Sequence, residues 1–216
     1  MKVVKAKAEI IRPALTQDAI DSIYRNIEIA GRTCYKSEDK ITNDSARKFV
    51  RALVKSGHEA MIEHASMTVR FTVDRGVSHE LVRHRLASWA QESQRYCSYD
   101  KDKFGNEITF IEPFFFKDSI LMKDWELAMK QAEAVYMRML KAGSTPQEAR
   151  TVLPNSTKTE VVMTANMREW RHFFKLRAAG ETGTPHPQML EVTVPLLKQC
   201  RELMPELFDD IKIKGE

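Results

Sequence analysis

Between Ala65 and Val73 apolar and polar residues alternate without a break. Ala65, Met67, Val69, Phe71 and Val73 take one side; Ser66, Thr68, Arg70 and Thr72 take the other. A period of two predicts a strand with one buried face. Other stretches carry the three- and four-residue steps of a helix. Ile20, Ile23, Tyr24 and Ile27 predict one from about residue 17 to 30, with Thr16 as its cap and Gly31 as its stop. Ala46, Phe49, Val50, Leu53 and Val54 predict a second, capped by Asn43 and followed by Gly57. The longest runs over about 118–142, from Asp118 or Ser119 to Lys141, with Leu121, Trp125, Met129, Tyr136 and Met139 on one face and Gly143 beyond it.

Thr145-Pro146-Gln147-Glu148 is a capping box with proline at the first helical position, and the short helix it opens carries Arg150 before Pro154 ends it. Residues 158–165 read as a strand. Asn166-Met167-Arg168-Glu169 then opens a helix to about Ala178, with Trp170, Phe173 and Phe174 inward. A last helix, about 187–204, holds Pro195, which predicts a kink. Residues 3–12 read as a strand before Pro13, and Phe104 to Phe116 as an aromatic, turn-like stretch with a short strand near Ile108–Ile111. The fold class expected is α+β: a single domain over 1–216, with a central, mostly antiparallel sheet flanked by helices.

Composition narrows the class. Hydrophobic residues at 43% and charged ones at 30% describe a globular chain, and 216 residues suffice for one sizeable core. No apolar run approaches the roughly 18 residues that a membrane span needs, and Met1-Lys2-Val3-Val4-Lys5 lacks a signal-peptide core. Cys34, Cys97 and Cys200 are too few and too scattered for a disulfide framework or a zinc cluster. The expected compartment is the cytoplasm. A net charge of +4 favours anionic small molecules without demanding nucleic acid.

The chemistry concentrates in Arg83-His84-Arg85-Leu86-Ala87-Ser88-Trp89-Ala90-Gln91-Glu92-Ser93-Gln94-Arg95-Tyr96. Its first half reads as helical, with Ser78 as N-cap and Val77, Leu81, Val82 and Leu86 as an apolar stripe. On such a helix Arg83 and Arg85 point about 200° apart and serve different partners. Ser88 to Arg95 reads as an ordered loop. Arginine forks suit phosphate or carboxylate, and lysine is absent between Lys55 and Lys101. The hydroxyls and amides of Ser88, Gln91, Ser93 and Gln94 suit a heterocycle. The ligand class expected is a phosphorylated, ring-bearing small molecule.

Two further places carry chemistry. His64 and Ser66 begin the alternating strand, within reach of one ligand, although a hydrogen-bonded structural histidine is an equal reading of His64. Arg177 falls on the apolar stripe of the 166–178 helix, where a guanidinium is costly unless a buried carboxylate or a ligand receives it. Arg168 and His172 lie one turn apart near that helix's start, where an anion is favoured. His58 and His64, six apart, and His79 and His84, five apart, miss the His-Glu-x-x-His spacing of a zinc hydrolase. A non-catalytic RNA-binding protein, with Trp89 and Tyr96 as stacking platforms, is the rival reading; a metal-dependent hydrolase ranks third.

Arg83-His84-Arg85, seven residues, then Ser93-x-Arg95-Tyr96 resembles the signature of flavin-dependent thymidylate synthases. The likeness continues in Ala149-Arg150-x-Val152-Leu153-Pro154, in Asn166-x-Arg168 followed by His172, and in Leu176-Arg177, and so covers about residues 58 to 178. The resemblance implies synthesis of thymidylate from deoxyuridylate (dUMP), with methylenetetrahydrofolate as one-carbon donor and NADPH as reductant through FAD. It implies flavin contacts from His64, Ser66, Arg83, His84, Arg85, Gln91, Asn166, Met167, Arg168 and His172. For the nucleotide it implies Glu80, Leu81, Val82 and Arg83, then Gln91, Glu92, Ser93, Gln94 and Arg95, with Arg150. Arg177 would activate the uracil ring as the catalytic residue. No metal, nucleic-acid polymer or membrane is implied, and the assembly implied is a homotetramer with sites shared between subunits. Glu92 departs from the family's usual apolar residue, Cys34 from a frequent serine, and the 180–185 segment is unusually polar.

Overall fold

The computed structural model describes residues 1–102, 105–117, 120–213 and 215–216. Four strands form the main sheet in the order β2 (Lys7–Arg12), β3 (Ser66–Asp74), β6 (Lys158–Asn166), β4 (Ala87–Gln91), and a separate parallel pair joins β1 (Lys2–Val4) to β5 (Thr109–Ile111). The main sheet is antiparallel. Ala65 accepts from the amide of Met167 at 2.9 Å while the hydroxyls of Thr68 and Thr164 meet at 3.0 Å, so partner numbers run in opposite directions. The class is therefore α+β. The alternation read in residues 65–73 is β3, whose Met67, Val69, Phe71 and Val73 are all fully buried.

The chain divides into two compact units, and β3, β4 and β6 contribute residues to both. One unit comprises residues 8–70, 84–89 and 162–216. It holds the helices α1 (Gln17–Tyr35), α2 (Ser45–Lys55), α6 (Met167–Arg177), α7 (Pro187–Leu203) and α8 (Pro205–Phe208), with a 3-10 turn at Glu59–His64. Its core is aromatic: Trp170, Phe173, Phe174 and Phe208 meet at centroid distances of 5.3 to 5.7 Å. The indole of Trp170 also donates to the carbonyl of Met67 at 2.9 Å, which satisfies its only polar atom in the interior. Buried Arg171 grips Asp210 with both terminal nitrogens, at 2.7 and 2.6 Å, and also reaches the carbonyl of Leu207. That double contact holds the carboxyl of Asp210 below its ordinary range.

The other unit comprises residues 1–7, 71–83 and 90–161, with α3 (Arg75–Leu81), α4 (Ile120–Lys141) and α5 (Pro146–Ala149). Tyr99, Ile108, Phe110, Met129, Tyr136 and Ala149 form its core. The amino terminus is tied to Glu107 at 2.9 Å and Glu133 at 3.1 Å. Only part of the α4 stripe faces inward: Tyr136 and Met129 are buried, whereas Leu121 is exposed. Among the described residues no helix is long and apolar enough to cross a membrane.

Several local expectations change. Residues 3–12 form two strands rather than one, because β1 and β2 pair in different sheets. Helix α1 runs past Gly31 to a left-handed Lys36. Gly31 is instead a contact point: a Cβ there would stand 2.5 Å from the ring of Phe49 on α2. Asp44 rather than Asn43 precedes α2, and the Ser45 hydroxyl accepts from the amide of Thr42 at 2.9 Å. Asp74, not Ser78, caps α3, taking the amide of Val77 at 2.6 Å. The cap sits four residues earlier than expected, so α3 ends at Leu81 and neither Arg83 nor Arg85 is helical. Ser88 to Gln91 belong to β4 rather than a loop. Arg150 opens a 3-10 turn, Arg150–Val152, after α5. The expected starts of the long helix at Asp118 or Ser119, and Phe104 in the aromatic stretch, lie outside the described residues.

Candidate active site

In the first unit the site grows from the junction of β6 and α6. The side chain of Asn166 accepts from the amide of Glu169 at 2.9 Å and caps the helix, as its sequence pattern predicts. Glu169 does not complete the reciprocal box. It is 5% exposed and its carboxylate turns to His84, with Oε1 and Nδ1 3.2 Å apart. Four and eight residues on, Phe173 and Arg177 lie near the same helical face. Phe173 packs edge-on against the His84 ring at 4.9 Å and 70°. The Nε–H of Arg177 donates to Nε2 of His84 at 3.2 Å. A guanidinium cannot accept, so Nε2 carries the lone pair and the imidazole proton sits on Nδ1, directed at Glu169.

The electrostatics keep the ring neutral. Burial, and then the charges of Arg177 and His172, push the pKa of His84 down to about 4, so the ring is neutral near pH 7. Burial also raises Glu169, opposed by His172. The backbone of His84 is fixed as well, since its carbonyl accepts from the indole of Trp89 at 3.1 Å.

Around the start of α6 the same unit gathers further polar groups. The amide of Met167 donates to Ala65, so His64 and Ser66 flank a residue bonded directly to the helix start. Both are exposed, as are Arg85 and His172. Arg168 is exposed and pairs with Glu63 at 2.7 Å and Glu59 at 3.5 Å. The side chain of Met167 is fully buried, so the position contributes through its backbone and core packing.

In the second unit, Glu80 and Leu81 close α3 and Val82 and Arg83 follow it, with Leu81 buried and Val82 and Arg83 exposed. The amide nitrogen of Gln91 donates to the hydroxyls of Ser78, at 2.9 Å, and Thr159, at 3.3 Å. Glu92 bonds Lys158 at 3.0 Å and receives the Tyr99 hydroxyl at 3.3 Å. Its carboxylate therefore belongs to a polar network around a cavity of about 280 Å³ lined also by Lys2, Glu107 and Thr109. The acid at position 92 thus has two partners of its own, Lys158 and Tyr99. Ser93 accepts from the amide of Arg95 at 3.3 Å, and the Arg95 guanidinium lies 5.7 Å from the Tyr96 ring centre. Arg95 and Arg150 are exposed, and Gln94 is buried.

The model of the family described as thymidylate synthase complementing protein matches residues 18–206. The chain belongs to this family. A flavin-dependent thymidylate synthase of Corynebacterium aurimucosum is 35% identical over 205 residues, spanning 87% of this chain and 79% of that one. The enzyme of the same description from Pyrococcus abyssi is 37% identical over 146 residues, 66% of this chain and 58% of its own length. Among solved structures, a UMP/dUMP methylase from Streptomyces cacaoi, bound with 5-bromo-dUMP, superposes with a TM-score of 0.75 over 97% of this chain and 96% of that one, at 23% identity. That likeness concerns the fold.

His84 and Arg177 each belong to a motif that carries the family resemblance, whereas the sequence around Glu169 predicts only a capping box. The signal available was positional: Glu169 stands eight residues before Arg177 and so shares its helical face. His84, Glu169 and His172 offer ligand atoms within 4.8 Å of one another, a donor set that separations of 85 and 88 residues hide from any local motif. Two features oppose a cation there. Arg177 occupies Nε2 of His84 and brings a fixed positive charge, while the remaining ring nitrogen is engaged with Glu169. His84 and Glu169 are better described as a hydrogen-bonded pair, with the His172 ring edge-on to His84 at 5.8 Å.

Proposed function

We propose that the chain is a flavin-dependent thymidylate synthase, which methylates carbon 5 of dUMP. The one-carbon unit comes from methylenetetrahydrofolate and the reducing equivalents from NADPH through FAD. Turning a methylene into a methyl group takes two electrons and a proton, which NADPH balances, and the folate leaves without its one-carbon unit.

The observation that carries this reading is Arg177 on His84. Its Nε partner is a neutral imidazole, and that contact directs the guanidinium. Beside a uracil ring, such a group favours the ionised form at N3 and readies carbon 5 for transfer. Arg83, Arg95 and Arg150, all exposed and always charged, hold phosphate and sugar. Glu80, Leu81 and Val82 approach the same phosphate through their backbone segment. Gln91, Glu92, Ser93 and Gln94 wrap the nucleotide. Ser93 acts as a contact and not a nucleophile, because its oxygen already accepts from the Arg95 amide and no base is bonded to it in the described contacts.

The residues near the start of α6 suit FAD. His64, Ser66, Arg168 and His172 are exposed donors gathered about the Ala65–Met167 contact, and the amino end of an eleven-residue helix favours phosphate. Bound there, FAD supplies the two-electron reduction of the one-carbon unit. Asn166, Arg85, His84 and Met167 complete its surroundings, Met167 through its backbone.

The assembly we infer is a homotetramer with sites shared between subunits, acting in the cytoplasm. Exposed Ile120, Leu121 and Leu127 on α4 support a subunit contact, and light scattering of the FAD-bound protein tests it; an active monomer would refute it. The activity is tested by incubating the FAD-reconstituted protein with dUMP, methylenetetrahydrofolate and NADPH and separating the nucleotides. Thymidylate should form and should vanish when any one component is omitted. A colourless protein that cannot take up FAD but binds RNA would overturn the reading.

A further inference from the structure

We infer that Glu169 is a positioning residue for Arg177, acting through the neutral imidazole of His84. The inference rests on the proposed role of Arg177 and extends it to a carboxylate that stands one residue removed from the ligand-facing group.

Three observations carry it. First, the contacts form a chain with one consistent donor direction: Arg177 Nε–H to His84 Nε2 at 3.2 Å, and His84 Nδ1–H to Glu169 Oε1 at 3.2 Å. Reversing either donor breaks the other contact, because Arg177 offers no acceptor. Second, the middle member cannot drift. His84 is 5% exposed, its ring is packed by Phe173 at 4.9 Å, and its carbonyl is held by Trp89 at 3.1 Å. Third, the end to be positioned is anchored in its backbone, since the Thr193 hydroxyl donates to the carbonyl of Arg177 at 2.7 Å. With the backbone fixed and the single Nε hydrogen committed, rotation of the planar guanidinium is restrained.

Glu169 supplies what the sequence of contacts needs at its far end, an acceptor that keeps the ring proton on Nδ1. Without it the proton is free to move to Nε2, where a donor would face the Nε–H of Arg177 and push the guanidinium away. The loss would then fall on the step in which the ring becomes anionic more than on nucleotide binding.

Two substitutions test this. Glu169→Gln keeps an acceptor of the same size, and Glu169→Leu removes it. The protein, labelled with ¹⁵N in histidine and reconstituted with FAD and dUMP, is read by the nitrogen signals of His84 and by steady-state kinetics. Glu169→Leu should abolish the Nδ1–H signal and lower kcat on the order of 10- to 100-fold, the usual cost of losing such an orienting partner, while KM for dUMP moves by less. Glu169→Gln should keep the signal and most of the turnover. A folded Glu169→Leu variant that retains the Nδ1–H tautomer, or that matches the wild type in kcat, overturns the inference. If Glu169→Leu does not fold, Glu169→Gln decides: a lost signal or an equally deep loss of turnover refutes the relay. Should the wild type make no thymidylate while the tautomer still follows residue 169, the proposed reaction falls and the relay stands.

Discussion

The Nε–H of Arg177 donates to Nε2 of His84 across 3.2 Å, which joins the end of α6 to the middle of the arginine–histidine–arginine triplet. The Nε edge of the guanidinium is thereby oriented by a ring that is itself neutral near pH 7. The first prediction follows from that geometry. Arg177→Ala should fold normally and lose turnover by about 10²- to 10³-fold, as when a donor to a developing anion is removed. Arg177→Lys should recover little, since a point charge cannot reproduce the Nε–H and the planar fork together. Circular dichroism and kcat decide; near-wild-type turnover in either variant contradicts the assigned role.

A second prediction concerns acid. His84 titrates at about 4 in the folded chain against an ordinary 6.5. Above pH 6.5 the ring is neutral in both states and stability is unaffected. As pH falls from about 6.5 to about 4, the unfolded chain takes up a proton that the folded one refuses. Stability therefore falls, by about 3 kcal/mol once pH 4 is reached. Glu169, raised by burial, acts in the opposite sense, because acid relieves the penalty on its ionised form. Urea unfolding at about pH 7 and pH 4.5 should show a smaller loss in His84→Gln than in the wild type. Equal losses would mean that the ring is not held neutral.

The third prediction separates cofactor from substrate. His64 and His172 are exposed, so removing either should leave the core intact. His64→Ala and His172→Ala should each weaken FAD retention by about tenfold, the loss of one good hydrogen bond, with a smaller change for dUMP. Titrating each variant with both ligands measures this. Equal losses for the two ligands, or none for FAD, would return these histidines to a purely structural role.

What the chain discloses about itself follows from the range of the interactions involved. Strand β3 and helices α1 and α6 were legible because period and caps are local: Thr16 and Asn166 accept the amides of Ala19 and Glu169, as expected of N-caps. The segment from Val77 to Leu86 misled because its apolar spacing suits a helix. Asp74 starts α3 early and Leu86 ends up 77% exposed beyond it. Glu169 fits a capping box in sequence, yet its carboxylate is claimed by a histidine 85 positions away. Such a contact leaves no periodic trace. The triplet and Arg177 were recognisable as chemistry; the residue that joins them was not.

The most direct test supplies ¹³C-methylene-tetrahydrofolate, dUMP and NADPH to the FAD-reconstituted protein and measures the mass of the nucleotide product. The account predicts thymidylate, heavier than dUMP by one labelled CH₂ group, in the wild type and almost none in Arg177→Ala. Unlabelled dUMP recovered unchanged from the folded, FAD-bound wild type would contradict it.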